Sequence, residues 1–170
     1  SNLIRIIPTN EIGTKDEPLT APPESLMEAL RVFFLGVAEG FGTYKFKNRS
    51  MLIHPSHLTD THEDYYRWTK NIKDNWVELL SLPKNNIDKK DLLAEFKNSY
   101  QELKKTANNL SSFEQLLAKN NLLHSIRQTQ IRQVNSTNKN KVNWRDVYSN
   151  ILVGGFKMDR GFTVDGLTVT

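Results

Sequence analysis

Apolar residues recur along much of this 170-residue chain at steps of three and four positions, which is the spacing of one helical face. The first such stretch follows Ser25, and Glu28 completes the S-x-x-E pattern of a capping box there. The apolar surface of this stretch is wide, and Gly40 and Gly42 end it. We therefore predict a largely buried helix that begins at Ser25.

Three more helices are predicted between residues 61 and 124, each with its own apolar stripe. Their predicted starts are Thr61, Asp88 and Ser111, the last of these with Glu114 three positions later. Trp68 and Trp76 lie on the stripe of the first of these helices, so we predict that both are core residues. Because the block is longer than an ordinary connection between two strands, we interpret residues 61–124 as a helical insertion.

Short apolar runs that end in proline or glycine predict buried strands, and two runs have this form, MLIHPS (51–56) and ILVGG (151–155). QIRQVNS (130–136) is a weaker candidate because its apolar content is low, and LTVT (167–170) is a fourth. Strands that alternate with helices form parallel sheets covered on both faces. The sequence therefore predicts an α/β domain with a mainly parallel sheet of about four strands flanked by helices.

The predicted organisation is an extended lead-in over residues 1–24, which is rich in proline, followed by an α/β domain over residues 25–170. Because LTVT runs into the last residue, we expect this domain to be truncated at its C-terminus and the chain to be a fragment of a longer polypeptide. No apolar run approaches the roughly 20 residues of a membrane span, and the first residues do not resemble a signal peptide. We therefore expect a cytoplasmic protein with no membrane partner.

Composition excludes some classes of site and permits others. The chain has no cysteine, so disulfides, zinc thiolate sites and cysteine nucleophiles are excluded. The net charge of +4 permits attraction to phosphates, and residues 126–145 contain lysine and arginine without any carboxylate. YKFKNR (44–49) alternates aromatic and cationic residues, and Trp144 lies in the other basic stretch. Such stretches can hold a nucleic-acid backbone and stack its bases, and a solvated loop is the alternative.

The segment after the third predicted strand combines glycines with charged residues. In parallel sheets, ligands gather at the carboxyl ends of the strands, where glycine lets backbone amides approach a phosphate closely. Gly154 and Gly155 occupy such an end, and Lys157, Asp159 and Arg160 follow them. The spacing matches neither a Walker A loop nor GxGxxG. The segment therefore favours a phosphate or nucleic-acid contact, with a tight turn that binds no ligand as the alternative.

The order of residues in GGFKMDRGFTVDGLTV closely resembles the signature of the Z-one domain. This bacterial family is labelled as endonucleases and is found attached to superfamily-two helicase modules. It also places a capped apolar helix before a Leu-x-His-Pro/Thr-Ser strand, as SLMEALRVFFLGVAEG and MLIHPS do here. HEDYYRW and the Asn-Ser of VNS are similar to the family as well. The resemblance spans roughly residues 22–170.

The resemblance implies a RecA-like helicase C-terminal lobe, in which MLIHPS stands for motif IV and GGFKMDRGFT for motif V. It marks as nucleic-acid- or nucleotide-binding residues His54, Ser56, Asn135, Ser136, Gly155, Lys157, Arg160, Gly161 and Thr163. The family's arginine-rich motif VI and its first lobe, which carries the phosphate loop and the magnesium carboxylates, are not in this sequence. We therefore expect no cofactor on the fragment and no ATP hydrolysis by it alone, whereas the full-length protein is expected to use ATP and magnesium.

The resemblance also implies a function, namely the nucleic-acid- and nucleotide-facing lobe of a helicase-like protein in bacterial restriction, phage defence or DNA repair. The expected partners are DNA or another nucleic acid, the remaining helicase lobe of the same polypeptide, and subunits of a defence system. One alternative is a non-catalytic protein-interaction module with a degenerate helicase fold. The other alternative is a metal-dependent nuclease.

Potential metal ligands are concentrated in HPSHLTDTH, which contains His54, His57, Asp60 and His62. Their spacing lacks the HExxH register that places two histidines on one helical face, so we predict no metal site. A carboxylate metal site of the nuclease type needs an acid followed by Asp/Glu-x-Lys, and the sequence contains no such string. Asp159 and Asp165 are the carboxylates nearest the glycine-rich turn, and we interpret them as turn residues.

Overall fold

The computed structural model describes residues 4–42, 48–55, 59–107, 109–134, 147–154 and 167–170. Its strands are β1 (Arg49–Ile53), β2 (Gln130–Val134), β3 (Ser149–Gly154) and β4 (Leu167–Val169). They form a four-stranded sheet in the order β2-β3-β1-β4, and all three neighbouring pairs are parallel. The predicted α/β architecture with a four-stranded parallel sheet is confirmed, including the weakly patterned strand β2.

Helices of very different lengths flank this sheet: α1 (Glu24–Gly42), α2 (Thr59–Ser81), α3 (Ile87–Lys104), α4 (Phe113–Leu117) and α5 (Asn121–Gln128). The sequence predicted one helix where α4 and α5 stand. A short 3-10 turn separates the two, and its residues Lys119 and Asn120 have φ angles of 54° and 58°. Two consecutive left-handed residues cannot continue a right-handed helix, so the chain bends there.

The core lies between the helices and one face of the sheet. Because side chains alternate along a strand, Met51 and Ile53 of β1 share that face with Ile151 and Val153 of β3, and all four are buried. Helix α1 is buried over most of its surface, as its wide apolar pattern predicted. Residues of α2, α3, α4 and α5 belong to the same hydrophobic cluster. One continuous hydrophobic core therefore joins the five helices to this face of the sheet.

The two tryptophans of α2 are core residues, as predicted. Trp68 and Trp76 are 9% and 3% exposed. The Trp76 ring packs edge-on against Phe96 of α3 and Phe34 of α1, with centroid distances of 5.1 and 6.1 Å. Edge-to-face pairs of this kind add to the stabilisation from buried area alone. Trp144, the candidate for base stacking, lies outside the described residues.

The two predicted capping boxes are wrong in position. Helix α1 begins at Glu24, so Ser25 is already helical, and its backbone N–H donates to Glu11 Oε2 at 2.7 Å. At α4 the N-cap is Ser112, whose hydroxyl accepts from the Gln115 backbone N–H while the Gln115 side chain accepts from Ser112 N–H. Ser111, the predicted cap, instead donates its N–H and its hydroxyl to the Glu39 carboxylate.

Replacing Ser112 by alanine is expected to lower the free energy of unfolding by about 1 kcal/mol, because the first-turn amide of Gln115 loses its acceptor. Urea denaturation of the variant and the wild type measures this difference. Glu114→Gln is the matched control, since it removes only a first-turn charge and should cost about 0.5 kcal/mol or less. The reverse ranking of the two variants would mean that the box predicted from Glu114 is the one that forms.

None of the helices in the described part of the chain combines the length and the apolar character that a membrane span requires.

Candidate functional site

The carboxyl ends of β1 and β3 lie side by side at a reversal of the strand order. From β1 the chain goes to β2 on one side of the pair, and from β3 it goes to β4 on the other side. In open parallel sheets a crevice forms beyond the carboxyl ends of the strands at such a switch point, and ligands bind in that crevice. The topology therefore places the candidate site beyond Ile53 and Gly154.

A side chain links the two strand ends at this point. The Nδ1 atom of His54, the first residue after β1, lies 2.9 Å from the carbonyl oxygen of Gly154. Because a carbonyl can only accept, Nδ1 carries the proton and donates it to this hydrogen bond. The bond fixes the orientation of an imidazole that is otherwise exposed at the edge of the sheet. His54 was predicted as a site residue, and the structure places it at the switch point.

Gly154 is required by the close approach of its neighbour β2. A Cβ atom at position 154 would lie 2.2 Å from the carbonyl oxygen of Val134, which is far inside the contact distance of two non-bonded atoms. Val134 and Gly154 are paired in the ladder as the last residues of β2 and β3. The glycine therefore lets the Val134 carbonyl lie against this strand end, where the His54 ring contacts the Gly154 carbonyl.

The chain matches the family model of the Z1 domain over residues 25–170. It belongs to the Z1 domain family. No curated protein and no solved structure matches the chain significantly. The match confirms the family that the sequence motifs resemble, and it includes β1, β3 and the glycine-rich stretch that follows β3.

The other predicted site residues of this Z1 domain lie outside the described residues. They are Ser56, Asn135, Ser136, Gly155, Lys157, Arg160, Gly161 and Thr163. Their places in the chain are nevertheless informative, because Asn135 directly follows the last residue of β2 and Gly155 directly follows the last residue of β3. The predicted site residues therefore all follow, in sequence, the carboxyl ends of three adjacent strands, β1, β2 and β3.

Helix α2 contributes a second histidine near the edge. His62 is 5% exposed, and its ring centroid is 6.4 Å from that of His54. Of the other two potential metal ligands in this stretch, His57 and the side chain of Asp60 lie outside the described residues. Within the part of the chain that is described, no three histidine, aspartate or glutamate side chains are grouped as metal ligands. His62 is therefore a buried residue at the start of α2 that lies next to the candidate site.

Tyr65 lies one turn beyond His62 in α2, and the pKa of its phenol is raised above the usual value. Burial raises the pKa of the Tyr65 phenol, and the nearby Glu11 carboxylate raises it further. The hydroxyl is therefore protonated at neutral pH and keeps its capacity to donate. Its ring packs against Trp68 at a centroid distance of 5.1 Å. These contacts join the start of α2 to the core.

Sequence reasoning missed a buried guanidinium between α1 and α3. Arg31 is 6% exposed and donates through Nε to Ser99 Oγ at 3.0 Å and through Nη1 to Glu95 at 3.1 Å, and its Nη2 pairs with Glu24. It lines a cleft of about 460 Å³ with Glu28 and other polar residues of the two helices. The available signal was a charged residue beside Leu30 in the apolar stripe of α1. Because the guanidinium is paired on three sides, we assign it a structural role.

Proposed function

We propose that this Z1 domain is the nucleic-acid- and nucleotide-facing lobe of a helicase-like enzyme of bacterial restriction, phage defence or DNA repair. The observation that carries the proposal is the hydrogen bond from His54 to the Gly154 carbonyl at the switch point of a parallel sheet. Family membership supports it as well, because the family match includes both strand ends. In this proposal, any endonuclease activity belongs to the full-length protein and not to this domain alone.

The chemistry at this edge suits an anion. Gly155, the first residue after β3, adds no side chain that could block the approach of a phosphate. Backbone amides at glycine-rich turns bind phosphate oxygens, and Lys157 and Arg160 supply positive charge two and five residues further along. His54 adds a polar ring whose position is fixed by its bond to Gly154. In this proposal the backbone amides, Lys157 and Arg160 hold phosphate oxygens of a nucleic-acid strand or a nucleotide.

ATP and magnesium enter the proposal only with the full-length protein. The glycine, cationic and hydroxyl residues after β3 are of types that suit a nucleotide phosphate, and Gly155, Lys157, Arg160 and Thr163 are the residues that would contact it. Nucleotide binding to the complete protein would close the two lobes and move the strand, and the nucleotide would supply the phosphoryl group that is hydrolysed. This lobe binds and orients, and the remaining helicase lobe of the same polypeptide completes the enzyme.

Binding of DNA by the isolated chain tests the proposal. We expect fluorescence anisotropy with a labelled 20-nucleotide strand and its duplex to show binding that weakens about 10- to 50-fold between 50 and 200 mM salt, since two or three phosphate contacts release counterions. Arg160→Ala should reduce the slope of log affinity against log salt by about one. Arg67→Ala is the control, because Arg67 is exposed and pairs with Asp64 on the surface of α2.

The protein-interaction alternative predicts a different result in the same experiment. A module with a degenerate helicase fold would show no salt-dependent affinity for either nucleic acid. The nuclease alternative is tested separately by incubating supercoiled plasmid with the chain and magnesium or manganese. We expect the plasmid to stay intact, and cutting that a chelator abolishes would assign nuclease chemistry to this segment.

A further inference from the structure

A cluster of aromatic rings lies at the amino edge of the sheet, where β1 and β3 begin. We define the amino-edge cluster as Phe41 from the end of α1, His124 from α5 and Tyr148, which precedes β3. The Phe41 ring packs edge-on against His124 at a centroid distance of 5.2 Å and against Tyr148 at 4.8 Å. All three rings are partly exposed. Three elements that are distant in sequence thus bring aromatic surface to one place.

A cation adjoins this cluster in the sheet. The backbone N–H of Arg49, the first residue of β1, donates to the carbonyl oxygen of Tyr148 at 2.8 Å, and Arg49 is paired with Ser149 in the ladder. Its side-chain Nε is buried and has no hydrogen-bond partner among the residues that the structure describes. Arg49 as a whole is partly exposed, and its positive charge is suited to a nearby phosphate. The cluster therefore combines ring surface with a positive charge.

The sequence around the cluster has the charge of a nucleic-acid-binding surface. Residues 40–59, which include Phe41 and Arg49, contain lysine and arginine and no carboxylate. Residues 115–145, which include His124, have the same character. These ranges include the two basic stretches noted in the sequence, and the sheet order places β1, which lies within the first range, next to β3, which follows the second. Segments that carry cations and no carboxylate attract a phosphate backbone.

We propose that the amino-edge cluster, together with Arg49, is a second contact for single-stranded nucleic acid, in which the rings stack on bases and the guanidinium binds the backbone. Such contacts tolerate any sequence, because every base offers a flat face to an aromatic ring. The inference rests on the proposed nucleic-acid-binding function. It adds a contact at the end of the sheet opposite His54, and a six-residue strand such as β3 separates the two ends by about 20 Å.

The test uses the chain with fluorescein-labelled oligo(dT) of 20 nucleotides, a length that exceeds the separation of the two edges. Tyr148→Leu and His124→Ala are each expected to weaken binding about tenfold, because one stacking contact is lost. Tyr66→Leu is the control, since Tyr66 is a partly buried tyrosine of α2 outside the cluster. Circular dichroism of each variant verifies that it has folded.

Photo-crosslinking of the wild-type chain tests the same proposal without a substitution. With an iodouracil-substituted oligonucleotide, we expect adducts on peptides that contain Phe41, His124 or Tyr148. Adducts confined to other peptides, or wild-type affinity in both cluster variants, would overturn the amino-edge contact and leave the proposed function intact. Failure of the wild-type chain to bind any nucleic acid would instead overturn the proposed function, and the inference with it.

Discussion

Gly154→Ala is expected to lower the free energy of unfolding by about 3 kcal/mol, a large effect for the addition of one methyl group. The new Cβ would lie 2.2 Å from the Val134 carbonyl oxygen and 3.1 Å from its carbonyl carbon. Both are backbone atoms, so relief requires β2 and β3 to separate where they are paired. Urea denaturation followed by circular dichroism measures the loss.

Gly36→Ala is the matched control and is expected to have the opposite sign. Gly36 lies inside α1, and apart from its chain neighbours and the backbone of its own helical turn, no atom of the described residues is within 4 Å of the position that its Cβ would take. Alanine has a higher helix propensity than glycine, so this variant should gain about 1 kcal/mol. The two substitutions add the same methyl group, so opposite signs would show that the loss at Gly154 comes from its surroundings and not from the methyl group itself.

The Gly154 variant also connects the fold to the site. If the strands separate at Val134, the Gly154 carbonyl shifts away from His54 Nδ1 and the imidazole loses its acceptor. Weaker DNA binding is therefore expected together with lower stability. An unfolding free energy equal to that of the wild type would mean that β2 and β3 do not approach as closely at their carboxyl ends as the structure places them.

A strand could be predicted from the sequence where its burial requires a continuous run of apolar side chains. β3 is buried along its whole length, and its continuous apolar run made it evident in the sequence. β2 lies at an edge of the sheet and pairs with β3 alone among the described strands, so Ile131 and Val134 are its main apolar residues. Its weak pattern follows from this position. The strand order itself depends on contacts between distant segments, which no local pattern reports.

The errors at helix starts have a physical cause in tertiary structure. The predicted capping boxes required local hydrogen-bond acceptors for the N–H groups of Ser25 and Ser111. In the structure, these groups donate instead to the carboxylates of Glu11 and Glu39, which lie 14 and 72 residues away in the sequence. The N-cap positions therefore differ from the predicted ones, by two residues at α1 and by one residue at α4. The break between α4 and α5 also carries no glycine or proline, because Asn120 adopts the left-handed conformation that asparagine tolerates.

The residues of the candidate site could also be predicted only in part. His54 could be predicted from the MLIHPS motif, but its partner is a backbone carbonyl 100 residues away, and that contact depends on the order of the strands. Arg31 and the amino-edge cluster likewise depend on helices and strands that meet only in the folded chain. The chemistry of a residue can be read locally, whereas its partners require the topology.

In the full-length protein, Arg160→Ala is expected to abolish DNA-stimulated ATP hydrolysis while the unfolding midpoint stays at the wild-type value. A guanidinium forms two parallel, charge-assisted hydrogen bonds to phosphate oxygens, and alanine supplies neither the charge nor the donors. A steady-state ATPase assay with and without DNA, run beside a thermal unfolding curve, gives both quantities. Arg67→Ala is the control, because that guanidinium is exposed and pairs with Asp64 on the surface of α2.

Arg160→Lys separates the charge from the geometry. Lysine keeps the positive charge but lacks the planar fork, so partial activity is expected if the residue binds phosphate as a point charge, and almost none if two parallel bonds are needed. Wild-type turnover in Arg160→Ala would remove this residue from the nucleotide and nucleic-acid contacts. The His54 to Gly154 bond would then mark a strand end that holds the sheet together without facing an anionic ligand.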